Sequence, residues 1–379
     1  MLYYLAKYLI PYWGPFRLLQ SHALLLAGGT FTAALLTWLL LPRLWRFLPM
    51  DHGKAILKDM GGMESKGKPT GTGLIVTLVA LPVILLFAPL APWDLAAVGA
   101  LYFAMLFGYL DDRAAIPWGE LKKGLLDAFV ALAIAFFIFE GHSEAIDGVG
   151  RRMIVWLPFV KGEATLVAGE LVYLFHIPGW LYIPSAAFIL WFVMNATNCS
   201  DGVDGLAGTL TEVALVMLAV ILYVVVGYRP VAHYFLIPVY AEAARWAIVV
   251  MIVAGAFGGY LWYNAQPSMI LMGDAGSRYL GILVATASLM TGNPFLVFAL
   301  APIVLVNGGG GLGKLVLLRF AKKLGFQISD SNVIKRVRFP LHDHCKKNLG
   351  WSNAQVLMRF TLLQLVVMPI LLLILLKVR

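Results

Sequence analysis

Apolar runs close to the length at which an α-helix crosses a hydrocarbon layer recur along the whole chain, and a chain built this way has few folds open to it. A bilayer span needs roughly 20 apolar residues, and inside lipid every backbone N–H and C=O must be satisfied within its own segment or a closed barrel. Ten stretches meet or approach that length: 22–42, 71–91, 96–110, 124–139, 181–195, 209–227, 244–261, 279–292, 295–318 and 356–376. With 61% hydrophobic residues, 13% charged residues and a mean hydropathy of +0.83, the composition speaks against soluble domains. No segment alternates as an outer-membrane strand does. The expected fold class is all-α, a single polytopic transmembrane domain over residues 1–379 with about ten spans. Residues 1–19 mix Tyr, Trp and Lys with apolar residues and read as an interfacial helix, without the pattern of a cleavable signal peptide.

Orientation follows from the lysines and arginines between spans. Loops 43–70, 111–123 and 319–355, together with Arg278, hold eighteen of the 29 Lys and Arg residues, against nine on the opposite side. The basic face is therefore expected in the cytoplasm, with both termini outside. The formal charge of +9 mostly expresses this bias, with attraction to anionic lipid or a phosphorylated substrate as a second reading. Cys199 and Cys345 both fall on the cytoplasmic side, where a disulfide is not expected, and neither has metal-site spacing.

Polar residues collect in four stretches on that face. "GYLDDR" (Gly108–Arg113) places Asp111 beside Asp112, a repulsive pair unless a divalent cation or a lysine such as Lys122 or Lys123 compensates. "NATNCSDGVDGLAG" (Asn195–Gly208) brings together Asn198, Asp201 and Asp204. In a helix these share a face, and in a turn Gly202 and Gly205 admit a ligand to the backbone. "YNAQPSMILMGDAGSRYLG" (Tyr263–Gly281) carries Asn264 and Asp274; Asp274, Ser277 and free amides at a helix start suit a cap or a phosphate. "FPLHDHCKKNLGW" (Phe339–Trp351) sets His342, Asp343 and His344 in the most basic loop, where phosphate recognition is a better reading than zinc. Each stretch alone is also compatible with a solvated helix end or turn. "GGGGLGKL" (Gly308–Leu315) imitates a nucleotide-binding loop, but Leu315 replaces the required hydroxyl and no soluble strand precedes it, so close helix packing or a kink is expected. The outer stretch 140–180 holds scattered acids and shows no evident job.

In this order and on one face, the four clusters resemble the polyprenyl-phosphate N-acetylhexosamine-1-phosphate transferases, and within that superfamily the muramoyl-pentapeptide branch. The likeness runs from "MLYYLAKYLIPY" through "SKGKPTGTGLI", "WYNAQPSMILMGDAGS" and "PLHDH" to "GWSNAQVLMRF". It implies an enzyme of the bacterial inner membrane, active at the cytoplasmic face, that transfers phospho-MurNAc-pentapeptide from UDP-MurNAc-pentapeptide to undecaprenyl phosphate. Lipid I and UMP would be the products and Mg²⁺ the cofactor. Both substrates and membrane lipid are the implied partners, nucleic acid is not, and a homodimer stays open. Catalytic roles would fall to Asp111, Asp112, Asp204, Asp274 and His342, with Mg²⁺ on Asp111, Asp112 and Asp274. Substrate contacts would fall to Lys66, Lys123, Asn198, Asp201, Gly205, Leu206, Asn264 and His344, with Lys66, Gly205 and Leu206 where uridine would lie. The chain departs from the family pattern at Asp343, in the middle of a histidine triplet, at Leu271, where an aromatic residue is expected, and at Asp127, in place of a glutamine. A sister enzyme transferring GlcNAc-1-phosphate, a secondary transporter and a noncatalytic scaffold are the competing readings.

Overall fold

The computed structural model describes residues 1–51, 66–114, 116, 118–146, 150–158, 163–167, 170–240, 242–324 and 336–377. Lys54, Lys58, Lys161, Lys335 and Arg379, which contribute to the loop charge, lie outside the described residues. The helices are α1 (Leu2–Leu9), α2 (His22–Leu44), α3 (Gly73–Phe87), α4 (Pro92–Arg113) and α5 (Glu120–His142), followed by α6 (Gly179–Ser200), α7 (Leu206–Val220), α8 (Arg229–Tyr234), α9 (Ala243–Asn264) and α10 (Gly273–Leu289). The chain continues through α11 (Leu296–Leu300), α12 (Pro302–Val304), α13 (Gly310–Lys323), α14 (Leu341–Leu349) and α15 (Asn353–Lys377). Among the described residues eight helical segments are long and apolar enough to cross a membrane, so the protein is an all-α, multi-pass membrane protein. Helix α3, with 15 residues, and helix α10, with 17, are shorter, although each coincides with an expected span.

Small residues decide how closely these helices approach, as lipid offers no hydrophobic drive to bring them together. A β-carbon on Gly255 of α9 would stand 2.3 Å from the Thr30 carbonyl of α2, and one on Gly259 would stand 2.7 Å from that of Ala34. The same device joins α3, α4 and α10: a β-carbon on Gly73 would lie 2.2 Å from Gly276, and one on Gly108 would lie 2.4 Å from the Asp274 carbonyl. Helix α10 is the hub, buried along nearly its whole length.

Two regions differ from the sequence expectation. The span expected over 295–318 is broken at Ala301 and passes through a π-helical turn, Leu305–Gly309, before α13. Its glycines serve packing: a β-carbon on Gly308 would meet the Ala196 carbonyl at 1.9 Å. The stretch 140–180 is not a featureless loop but an antiparallel sheet of β1 (Glu144–Ile146), β2 (Gly150–Val155), β3 (Glu163–Val167) and β4 (Glu170–Pro178) in the order β1-β2-β4-β3. Trp156, fully buried, ties the sheet to the turn after α10: its backbone N–H donates to Gly292 O at 2.9 Å and its indole to Thr291 O at 2.8 Å. The expected interfacial helix is shorter than 1–19, ending with α1 and followed by a 3₁₀ segment, Gly14–Gln20.

Candidate active site

The glycine crossing of α4 and α10 brings the end of one helix against the start of the other. Both carboxylate oxygens of Asp112, in the last turn of α4, accept from the first amides of α10, Asp274 N at 3.0 Å and Ala275 N at 3.1 Å. Helix α10 is thus capped in trans, and Gly273 permits it with a φ of +73° in a place where a β-carbon would be 2.4 Å from Asp112 Oδ2. These two amides are consequently not free for a phosphate, which corrects the expectation drawn from the helix start.

Asp111 and Asp274 share one cation. The Lys123 ammonium, from the first turn of α5, makes a very short ion pair with Asp111 Oδ2 and lies 3.3 Å from Asp274 Oδ2. Asp111 also accepts from Trp118 N at 2.8 Å. Arg278, one turn beyond Asp274, reaches the same Oδ2 at 3.3 Å and closes a very short pair with Asp127 of α5. Asn198, near the end of α6, fits between them: its amide nitrogen donates to Asp274 Oδ1 at 3.2 Å and its oxygen accepts from Arg278 Nε at 3.1 Å. Asp274 thereby keeps a partly exposed carboxylate held on both oxygens.

A second group lies around the α6–α7 turn. Asp201 is the C-cap of α6, and Gly205, with φ +74°, starts α7. Asn264 staples this turn: its oxygen accepts from Gly205 N at 2.8 Å and its nitrogen donates to Ile270 O at 2.7 Å. Asp204 accepts from Ser268 N at 3.2 Å and lies 3.6 Å from Lys68 Nζ, which donates to Ser268 Oγ at 2.9 Å.

Helix α14 delivers His342 to the same turn. Its Nε2 packs on Gly202 so closely that a β-carbon there would be 2.3 Å away. Asn307 Oδ1 accepts from His342 N at 2.8 Å and faces Nδ1 at 3.2 Å. On its other side, Nε2 lies 3.6 Å from Asp343 Oδ1. Burial pushes His342 down to about 4, with Asp343 opposing and Lys346 adding to the shift. His344 turns back on its own loop and accepts from Arg338 N at 3.3 Å.

The family model for glycosyl transferase family 4 matches residues 95–292, the segment that holds Asp111, Asp112, Lys123, Asn198 and Asp274. A phospho-N-acetylmuramoyl-pentapeptide-transferase of Treponema pallidum subsp. pallidum is 41% identical over 360 residues, covering 94% of this chain and 91% of the relative. Enzymes of the same name from Chlorobaculum parvum and Gemmatimonas aurantiaca are 28% and 27% identical, covering 96% and 95% of this chain and of each relative. The chain belongs to the phospho-N-acetylmuramoyl-pentapeptide transferase family.

For a phospho-N-acetylmuramoyl-pentapeptide transferase the metal expectation can be tested on the donors present. Among the described residues no three His, Cys, Asp or Glu side chains group closely enough to enclose a metal ion, so Asp111, Asp112 and Asp274 are not a three-carboxylate cage. The reason is Asp112, whose oxygens face backbone amides. Asp111 and Asp274 nonetheless converge on one cationic point. Two hard carboxylates completed by water and substrate phosphate are the usual holding for Mg²⁺, so the donor set fits that ion.

The other expected residues divide in a way the motifs did not announce. Leu206 is fully buried and its N–H donates to Val203 O at 3.0 Å, so the structure does not place it where a nucleotide could touch it. Lys66 stands exposed on a turn whose neighbour, Lys68, is the lysine that reaches Asp204. Leu271 contributes backbone, its carbonyl accepting from Thr72 N and Oγ1 at 3.2 and 2.7 Å. Lys68 and Arg278 are site residues that the sequence motifs do not reveal. An arginine four positions after Asp274, inside an apolar run, is the available signal for the second.

Proposed function

We propose that this protein transfers phospho-MurNAc-pentapeptide from UDP-MurNAc-pentapeptide to undecaprenyl phosphate, releasing UMP and forming lipid I at the cytoplasmic face of a bacterial inner membrane. The observation that carries the reading is the carboxylate pair Asp111 and Asp274 sharing the Lys123 ammonium at converging helix ends, in a chain 41% identical to an enzyme of that name. The loop lysines Lys68 and Lys123 lie at this end of the bundle, which supports a cytoplasmic site.

In the reaction an oxygen of the lipid phosphate bonds to the phosphorus attached to the sugar, and the bond from that phosphorus to the UMP oxygen breaks. Charge crowding is the obstacle, so cations and positioning carry most of the catalysis. Lys123, already poised between two carboxylates, can turn its ammonium to the incoming diphosphate. Asp111 orients the attacking phosphate, and Asp112 fixes Asp274 by holding the start of α10. The α6–α7 turn, stapled by Asn264, presents Asp201 and Asp204 to the nucleotide, and His342 offers a neutral Nε2 beside it. Bound Mg²⁺, held by Asp111 and Asp274, would supply neutralisation of the diphosphate.

The test is UMP release by purified protein in detergent with both substrates and Mg²⁺, with and without EDTA. Metal-dependent UMP release with a matching lipid product is expected. Turnover of UDP-GlcNAc, with none of the muramoyl substrate, would move the protein to the sister branch.

A further inference from the structure

Helices α5 and α10 each present one acid and one base four residues apart, in opposite order: Lys123 then Asp127, Asp274 then Arg278. The pairs cross, Lys123 to Asp274 and Arg278 to Asp127. Lys123 and Asp274 are partly exposed, whereas Arg278 and Asp127 are buried, with side chains 4% and 1% accessible. One half of the quartet therefore faces the substrates, and the other half sits behind it.

A buried guanidinium must be neutralised, and its two nearest acids here are Asp127 and Asp274. With Asp127 on Nη1, Arg278 can hold Asp274 through Nη2 and Asn198 through Nε without drawing the whole charge of Asp274. If Asp127 were neutral, Asp274 would become the sole counter-ion of Arg278 and would compete for it with any other cation.

We propose that Asp127 and Arg278 form a positioning pair behind the active site, in which Arg278 orients Asp274 and Asn198 while Asp127 neutralises Arg278 and so keeps Asp274 available to a divalent cation. This deepens the transferase reading and rests on it for the identity of the reaction.

The experiment compares wild type, Asp127→Asn, and the double variant Asp127→Leu with Arg278→Leu, which removes the buried pair together. Mn²⁺ binding is followed by electron paramagnetic resonance in the presence of UMP, where no turnover occurs, alongside thermal unfolding without metal and kcat for UMP release. Asp127→Asn is expected to weaken Mn²⁺ binding by about tenfold, the size of effect that one misplaced unit charge has near a half-buried site. The double variant is expected to stay folded and to bind Mn²⁺ about as wild type does, yet to lose about tenfold in kcat, because Asp274 and Asn198 are no longer held. Wild-type Mn²⁺ affinity in Asp127→Asn would overturn the charge role, and wild-type kcat in the double variant would overturn the positioning role. Should Asp127→Asn fail to fold, the double variant carries both tests: wild-type kcat would overturn the positioning role, and Mn²⁺ binding about tenfold weaker than wild type, with the buried guanidinium and its counter-ion removed together, would overturn the charge role. Wild-type protein without UMP release would count against the transferase reading and leave the Mn²⁺ comparison intact.

Discussion

Asp274 and Asp94 are both aspartates in the first turn of a helix, and they sit at opposite ends of the bundle. Asp94, in α4, is 2% exposed; its Oδ1 faces His142 Nε2 at 2.8 Å and accepts from the Trp246 indole at 3.0 Å, so that it fastens three helices together. Asp274 is 22% exposed on its side chain and faces the Lys123 ammonium, the Arg278 guanidinium and the Asn198 amide. The same side chain stabilises in one place and is available to a ligand in the other. What separates them is access, and whether the partners can exchange for something else.

That contrast is broken most directly at Asp274. Asp274→Asn is expected to cut UMP release by about 10²–10³-fold, the loss typical of removing one preorganised electrostatic group, while the protein keeps its thermal unfolding temperature. A comparable fall in unfolding temperature would make Asp274 a structural acid like Asp94. Gly108→Val tests the crossing that creates the site: its side chain would enter the Asp274 backbone, costing about 1–3 kcal/mol of stability and most of the activity, read by unfolding and UMP release. Asp94→Ala is expected to do the reverse. It leaves the Trp246 indole unpaired, costs about 1–3 kcal/mol in unfolding, and leaves turnover per folded molecule close to wild type.

The most gradual effect concerns His342, whose value of about 4 lies below the ordinary 6.5. The unfolded chain then binds more protons than the folded one between those two values. Stability is fully present above about pH 6.5 and declines as pH falls toward 4, by up to about 3 kcal/mol. Equilibrium unfolding at a series of pH values should show that slope, and His342→Gln should flatten it.

The spans were legible because burial in lipid leaves a long apolar signature in sequence order, and every expected span except 295–318, which is broken at Ala301, overlaps a helix. Asp111, Asp274 and Asn198 were legible as candidates because acids and amides are out of place at the ends of such runs, and Lys123 as a cation that compensates the aspartate pair. Their division of labour was not. Asp112 looked like a second metal ligand and caps α10; Asn264 looked like a substrate contact and staples Gly205. The sheet over 144–178 escaped notice because its strands are short and their packing partner, the turn at Thr291–Gly292, is distant in the chain.

By itself, then, the sequence determined a multi-pass helical membrane protein with its chemistry at one set of helix ends, since hydropathy and charge act locally along the chain. Only the tertiary structure decided which acid stays partly exposed and which is occupied by backbone amides. Hydrogen bonds such as Asp112 to Ala275, and ion pairs such as Asp127 with Arg278, join residues more than 150 positions apart, and no local pattern specifies them.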